Sequence, residues 1–196
     1  MMILLLGCLS FLLFVLGDLN SVNWGVRALR PCFFAGCLLL AGSTAALLIT
    51  ARPRFLLPAP LRGLAGFLGA LFLLLLVYSL FFALPFQQTY LEEAAERRAY
   101  DRGVYALCRH PGVLWFILFY LCCWLVRGSD ALFWAWVLFS LLNVGYIVLQ
   151  DLYIFPRTFG NYGEYRKTTP FLIPNRASMR RCAATIKAGE EHGREL

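Results

Sequence analysis

The sequence predicts an all-α integral membrane protein of about five transmembrane helices, with a C-terminal helical hairpin and a covering segment on the cytoplasmic side. Three observations predict it. Apolar runs of membrane length recur along the chain, separated by shorter stretches rich in charge, proline and glycine. The composition is 60% hydrophobic with a mean hydropathy of +0.67, where soluble domains are roughly half apolar. The basic residues fall mostly into alternate loops, as the positive-inside rule requires.

Met2 to Leu16 is apolar throughout and forms the first span, extended to about Asn20. It lacks a basic leading region, and Gly17-Asp18-Leu19-Asn20 is a poor cleavage site, so it is not a signal peptide. Ser21 to Pro31 is a loop with Arg27 and Arg30. Cys32 to Thr50 is the second span, where Gly36, Ala41, Gly42, Ser43, Ala45 and Ala46 offer a small-residue face for close helix approach in lipid. Ala51 to Pro60, with Arg52, Arg54 and three prolines, is a loop. Leu61 to Leu84 crosses next, and Pro85 ends it.

Phe86 to Arg102 is charged, and Glu93 and Arg97 stand four apart in the order that supports a helix. A helical extension closed by Gly103 is expected there. Pro111 to Val126 is the fourth span, and proline suits its first turn, where the missing N–H would be unpaired anyway. Arg127-Gly128-Ser129-Asp130 is a tight turn into the fifth span, Ala131 to Leu149. So short a connection makes these two helices antiparallel neighbours, which places Arg109-His110-Pro111 and Gln150-Asp151 on one side of the membrane. Residues 1–175 are expected as one transmembrane domain. Residues 176–196 are expected as a polar, basic tail, either disordered or lying on anionic lipid.

With the C-terminus cytoplasmic, 14 of the 18 Lys and Arg residues lie inside and only Arg52, Arg54, Arg62 and Arg127 outside. The N-terminus is then outside, and a bacterial inner membrane is the expected host. The net charge of +7 is thus explained by topology, and nucleic acid is not an expected partner. Seven cysteines form no CxxC pair and no Cys/His cluster. Cys8, Cys32, Cys37, Cys122 and Cys123 lie in or beside apolar runs and are expected as small packing residues, and neither a disulfide framework nor a metal site is expected.

The polar corner Gly103-Val104-Tyr105-Ala106-Leu107-Cys108-Arg109-His110-Pro111 joins the most charged stretch to an apolar helix. A cation and an imidazole at a helix N-terminus suit an anion or a carboxylate. Arg109 alone would more often be a headgroup anchor, and Tyr162 and Tyr165 alone interfacial aromatics. Their joint placement at one end of the hairpin favours a site, with Asp151 as its carboxylate.

Gly103-x-Tyr105-x-x-x-Arg109-His110-Pro111, a helical hairpin, then Asp151, Phe159-Gly160, Tyr162-x-x-Tyr165, Thr169-Pro170 and Ile173-Pro174 resembles the isoprenylcysteine carboxyl methyltransferase and phospholipid methyltransferase family, over residues 86–175. The chain departs from the family pattern at Val113 and Trp115, which stand for a tyrosine and a glycine, and it keeps only Asp151 of a paired carboxylate. The resemblance implies a membrane methyltransferase. S-Adenosylmethionine would be the cofactor, held at the cytoplasmic end of the hairpin under the C-terminal segment. A lipophilic acceptor (a prenylcysteine carboxylate, a lipid amine or similar) would enter from the bilayer. It puts Tyr105, Arg109, His110, Asp151, Tyr162 and Tyr165 at cofactor positions, with His110 and Arg109 nearest the chemistry. Two rival readings accompany it. One is a nicotinamide-dependent reductase of the sterol and steroid reductase type, which shares the hairpin and the Tyr-x-x-Tyr tail. The other is a non-catalytic bundle that keeps the fold.

Overall fold

The computed structural model describes residues 1–82 and 98–192, with side chains of the last helix through residue 186. Among the described residues the regular structure is helical throughout, without strands. Among the described residues, four helices are long and apolar enough to cross a membrane: Met2–Trp24, Arg27–Thr50, Ala59–Phe82 and Asp130–Thr158. The expected fourth span is a shorter apolar helix, Pro111–Arg127. At 1.5 Å per residue it covers about 26 Å, against roughly 30 Å of hydrocarbon. The all-α expectation holds, and the long apolar helices are compatible with a multi-pass membrane protein. Most of the predicted extension Phe86 to Arg102, with its Glu93–Arg97 pair, lies outside the described residues.

The chain divides into two compact units, Met1–Leu73 with Phe116–Ile154, and Leu74–Trp115 with Phe155–Leu196. In the first unit, α1 (Met2–Leu19) runs without a break into a π-helical turn, Asn20–Trp24. The sequence placed a loop from Ser21. The helix continues because its polar end is satisfied by neighbours. Asp18 Oδ2 accepts from Tyr146 Oη at 2.7 Å and Gln150 Nε2 at 2.8 Å. The Asn20 side chain bonds both Val26 N, at 2.8 Å, and Val26 O, at 3.0 Å. Gly25, at φ +64°, ends the run in a conformation other residues resist.

α2 (Cys32–Thr50) packs along α1. The expected small-residue face is only half right. Gly36 and Ser43 are buried, but Ala41, Gly42 and Ala45 are exposed. Gly36 and Ser43 are seven residues apart, two turns along one face, with Leu47 one turn further on. The other three point away. A Cβ on Gly36 would lie 2.7 Å from the Phe14 ring and 3.0 Å from Ser10 O, so this glycine sets the α1–α2 approach.

α6 (Asp130–Leu149) lies along α1, and its N-terminus is capped by Ser129, whose Oγ accepts from Leu132 N at 3.2 Å. Trp124, in α5 (Pro111–Arg127), stacks on Trp136 with centroids 5.8 Å apart, and Tyr120 meets Phe139 edge-on at 5.3 Å. Tyr120 Oη shares a 2.5 Å hydrogen bond with Thr44 Oγ1, which ties α2 to α5 inside the apolar core. The stretch 51–58 returns to the 127–130 turn. Arg54 N and Phe55 N donate to Gly128 O, at 2.8 and 3.2 Å, and Arg54 pairs with Asp130 at 3.1 Å.

The second unit holds the end of α3 (Ala59–Val77) and its π-helical turn Tyr78–Phe82, then α4 (Val104–Leu107) and the start of α5. After them come α7 (Phe155–Thr158), α8 (Tyr162–Thr168) and α9 (Arg176–His192). Its core gathers Ala99, Tyr162 and Tyr165, with Phe155 and Phe159 packed against them. Within the basic tail, Arg176–His192 is helical. Its start is set by reciprocal capping, in which Ser178 N donates to Asn175 Oδ1 at 2.8 Å and Asn175 N to Ser178 Oγ at 3.0 Å.

Candidate functional site

The polar corner belongs to the second unit. Gly103, at φ +56° and ψ −135°, turns the chain into α4 through a conformation closed to other residues. Cys108 is extended and fully buried, and burial pushes its thiol up to about 11. It is a packing residue. α5 begins at Pro111, as expected, just beyond Arg109 and His110, and Val113 N donates to His110 O at 3.2 Å.

The segment after α8 folds back onto this corner. Arg109 N donates to Pro170 O at 2.9 Å. The Arg109 guanidinium lies over the Phe171 ring, 5.5 Å from its centroid, and donates from Nη1 to Arg166 O at 3.2 Å. That carbonyl is in the last turn of α8, where a cation suits the helix dipole. Arg181 Nη2 donates to Thr168 O, so two arginines serve the same helix end. His110 is buried. Its ring stacks on Phe155 at 5.6 Å and 11°, and meets Phe171 edge-on at 5.2 Å.

The tyrosines predicted for the site are drawn in too, but as framework. Tyr165 Oη donates to Tyr105 O at 2.8 Å, and Tyr105 Oη to Ser79 O at 2.7 Å. Burial drives the Tyr165 phenol well above the usual tyrosine range, so it serves as an O–H donor. Tyr162 and Tyr165 are only 2% and 6% exposed, which makes them core residues of this unit. Trp115 Nε1 donates to Ser79 Oγ at 3.2 Å, so this tryptophan is held by the π-helical turn.

Thus the structure brings Tyr105, Arg109, His110, Tyr162 and Tyr165 together in one unit. Asp151 belongs to the other unit, buried in the π-helical turn Gln150–Ile154. Sequence reasoning missed Phe155 and Phe171, the rings around His110, and Asn161, which binds the backbone of Ala99. The Asn161 carboxamide accepts from Ala99 N at 2.6 Å and donates to Ala99 O at 3.4 Å. An asparagine just before a helix was a legible capping signal, although here it binds a distant strand of chain instead. Nothing in the local sequence marked the two phenylalanines among 17.

Comparison of the chain with models of known families, with curated proteins and with solved structures finds no match in any of the three.

Proposed function

We propose that the chain is an integral-membrane methyltransferase that uses S-adenosylmethionine on a lipophilic acceptor taken from the bilayer. One observation carries the reading. The segment after α8 closes on the Arg109–Pro111 corner, through Arg109 N to Pro170 O and through the Phe171 ring against both Arg109 and His110. A C-terminal segment over a basic corner at the start of an apolar helix is what the resemblance implies.

The donor set fits the cofactor. Arg109, beside the N-terminus of α5, suits the α-carboxylate. Carbonyl and aromatic groups around it suit an ammonium, a sulfonium and a flat base. The cofactor supplies an electrophilic methyl group. The chain supplies binding, alignment and exclusion of water. His110, enclosed by Phe155 and Phe171, serves to position, since a carboxylate acceptor requires no base.

Five crossings, with the N-terminus outside and the C-terminus cytoplasmic in a bacterial inner membrane, complete the reading. Contacts within the first unit support it. The stretch 51–58 meets the 127–130 turn, and the end of α1 meets the end of α6 through Asp18, Tyr146 and Gln150. Each pair is assigned to one side by the charge distribution.

A second reading, a non-catalytic bundle, draws on Tyr162 and Tyr165 being core residues and on Trp115 standing where the family has a glycine. Photolabelling of the purified protein with methyl-tritiated S-adenosylmethionine separates the two. The methyltransferase reading expects label in peptides covering residues 105–110 or 166–171, competed by unlabelled cofactor. Absence of competed label from folded protein would favour the bundle.

A further inference from the structure

α9 has two faces with different tasks. Ser178, Arg181, Cys182 and Thr185 recur at helical spacing on one side, and each is buried or half-buried. That side is bonded into the second unit. Gly103 N donates to Thr185 Oγ1 at 3.0 Å, Arg181 reaches Thr168 O, and Ser178 closes the cap with Asn175. Beside it runs a strip that the unit does not cover. Met179 is 49% and Ile186 48% exposed, with Ala183 between them, and Ile173, just before the helix, is 80% exposed. Arg176 and Arg180 are exposed on the outer edge of this strip, while Ala177 and Ala184 lie round the far side.

One short stretch of chain ties α9 to the end of a membrane-length helix. Tyr105 Oη donates to Ser79 O at 2.7 Å, and Ser79 lies in the last turns of Ala59–Phe82. The same short stretch, through Gly103 N, holds Thr185 of α9. Apolar anchors flanked by arginines, fastened to the end of a spanning helix, match one occupant by charge and by chemistry: the surface of an anionic leaflet.

We propose that α9 is a lipid-reading helix, with Ile173, Met179 and Ile186 entering the interface and Arg176 and Arg180 selecting anionic headgroups. This role is independent of the activity proposed above. It predicts that the second unit is seated on the bilayer by its C-terminal helix as well as by its apolar helices.

The test uses the full chain in nanodiscs of mixed phosphatidylcholine and phosphatidylglycerol. A photoreactive p-benzoylphenylalanine is placed, one at a time, at positions 179, 186, 177 and 184, and adducts are weighed by intact mass spectrometry. Lipid adducts are expected at 179 and 186 and not at 177 or 184. The phosphatidylglycerol share of the adducts should exceed its share of the bilayer. Arg176→Gln and Arg180→Gln should each cut that enrichment by up to about fivefold, the weight of one basic residue near an anionic surface. A parallel measurement needs no substitution: hydrogen exchange across residues 176–186 of the natural chain should slow when phosphatidylglycerol replaces phosphatidylcholine. Equal labelling at all four positions, adducts in the bilayer ratio, capture of a second copy of the chain in place of lipid, or exchange indifferent to headgroup charge would each overturn the proposal.

Discussion

Gly7→Ala is a one-carbon change that should destabilise the first unit far more than its size suggests. Gly7 lies on α1 against the ring of Phe139 from α6. A Cβ built there would lie 2.8 Å from Cε1 and 3.0 Å from Cε2 of that ring, with Cζ closer still. Carbon atoms settle at about 3.5–4.0 Å, so the ring or the helix would have to withdraw by the order of 1 Å. The ring has nowhere to go. Phe139 is fully buried, with Tyr120 edge-on at 5.3 Å and Phe11 at 6.2 Å. Overpacking of this kind costs about 1–3 kcal/mol. A small part is offset, because alanine favours the helix over glycine by up to about 1 kcal/mol. The assay is thermal unfolding of the purified protein in detergent, run beside Phe139→Leu and the double variant. Phe139→Leu alone should destabilise by leaving a void. In the double variant the smaller side chain admits the new methyl group, so the two losses should be less than additive. Unchanged stability in Gly7→Ala, or strict additivity, would refute a close α1–α6 approach through Gly7.

Three further outcomes follow from the second unit. Asn161→Ala leaves the buried Ala99 N–H without its 2.6 Å acceptor and should cost about 1–3 kcal/mol in unfolding experiments, with Asn161→Asp recovering part through the remaining oxygen. Cys108 is held neutral by burial, its thiol raised from 9.0 to about 11. Its contribution to stability is therefore complete below pH 9 and is lost as pH rises from 9 towards 11, a component that Cys108→Ala should lack in a pH series of unfolding curves. Arg109→Ala should lower S-adenosylmethionine affinity at least tenfold while costing stability no more than about 1.5 kcal/mol, since its side-chain bond to Arg166 O is exposed. Arg109→Lys, which keeps the charge but loses the fork, should bind at an intermediate level.

The helices were legible because long apolar runs suited to lipid leave little choice. A backbone in hydrocarbon must bond to itself, so a long apolar run bounded by proline, glycine or charge is a helix. Cys32–Thr50 and the Pro111 start of α5 have the bounds that the sequence implies. What escaped were features fixed by tertiary partners. Nothing near Asp18 in the chain announces Tyr146 and Gln150, more than a hundred residues on, which keep α1 helical past its polar end. The α9 start was missed although it was local, because Asn175 and Ser178 were read with a basic tail and not as a capping pair.

At the candidate site, the spacing of Arg109, His110 and Pro111 gave the position of the corner. It did not give the environment. Phe155 and Phe171, which enclose His110, are two of many apolar aromatics in such a chain. Tyr162 and Tyr165 were legible as positions and not as environments. Their side chains are buried in the core of their own unit, where Tyr165 bonds a backbone carbonyl. A motif fixes which residues meet. Whether they face a ligand or one another depends on neighbours that the motif does not contain.

The most direct test of the proposed activity is titration calorimetry of the purified protein in detergent with S-adenosylmethionine, with the reduced nicotinamide cofactors titrated in parallel. The account predicts saturable binding of S-adenosylmethionine alone, weakened at least tenfold in Arg109→Ala. No heat of binding from protein shown to be folded, or binding indifferent to Arg109, would contradict it. Saturable binding of a nicotinamide cofactor in its place would move the chain to the reductase reading.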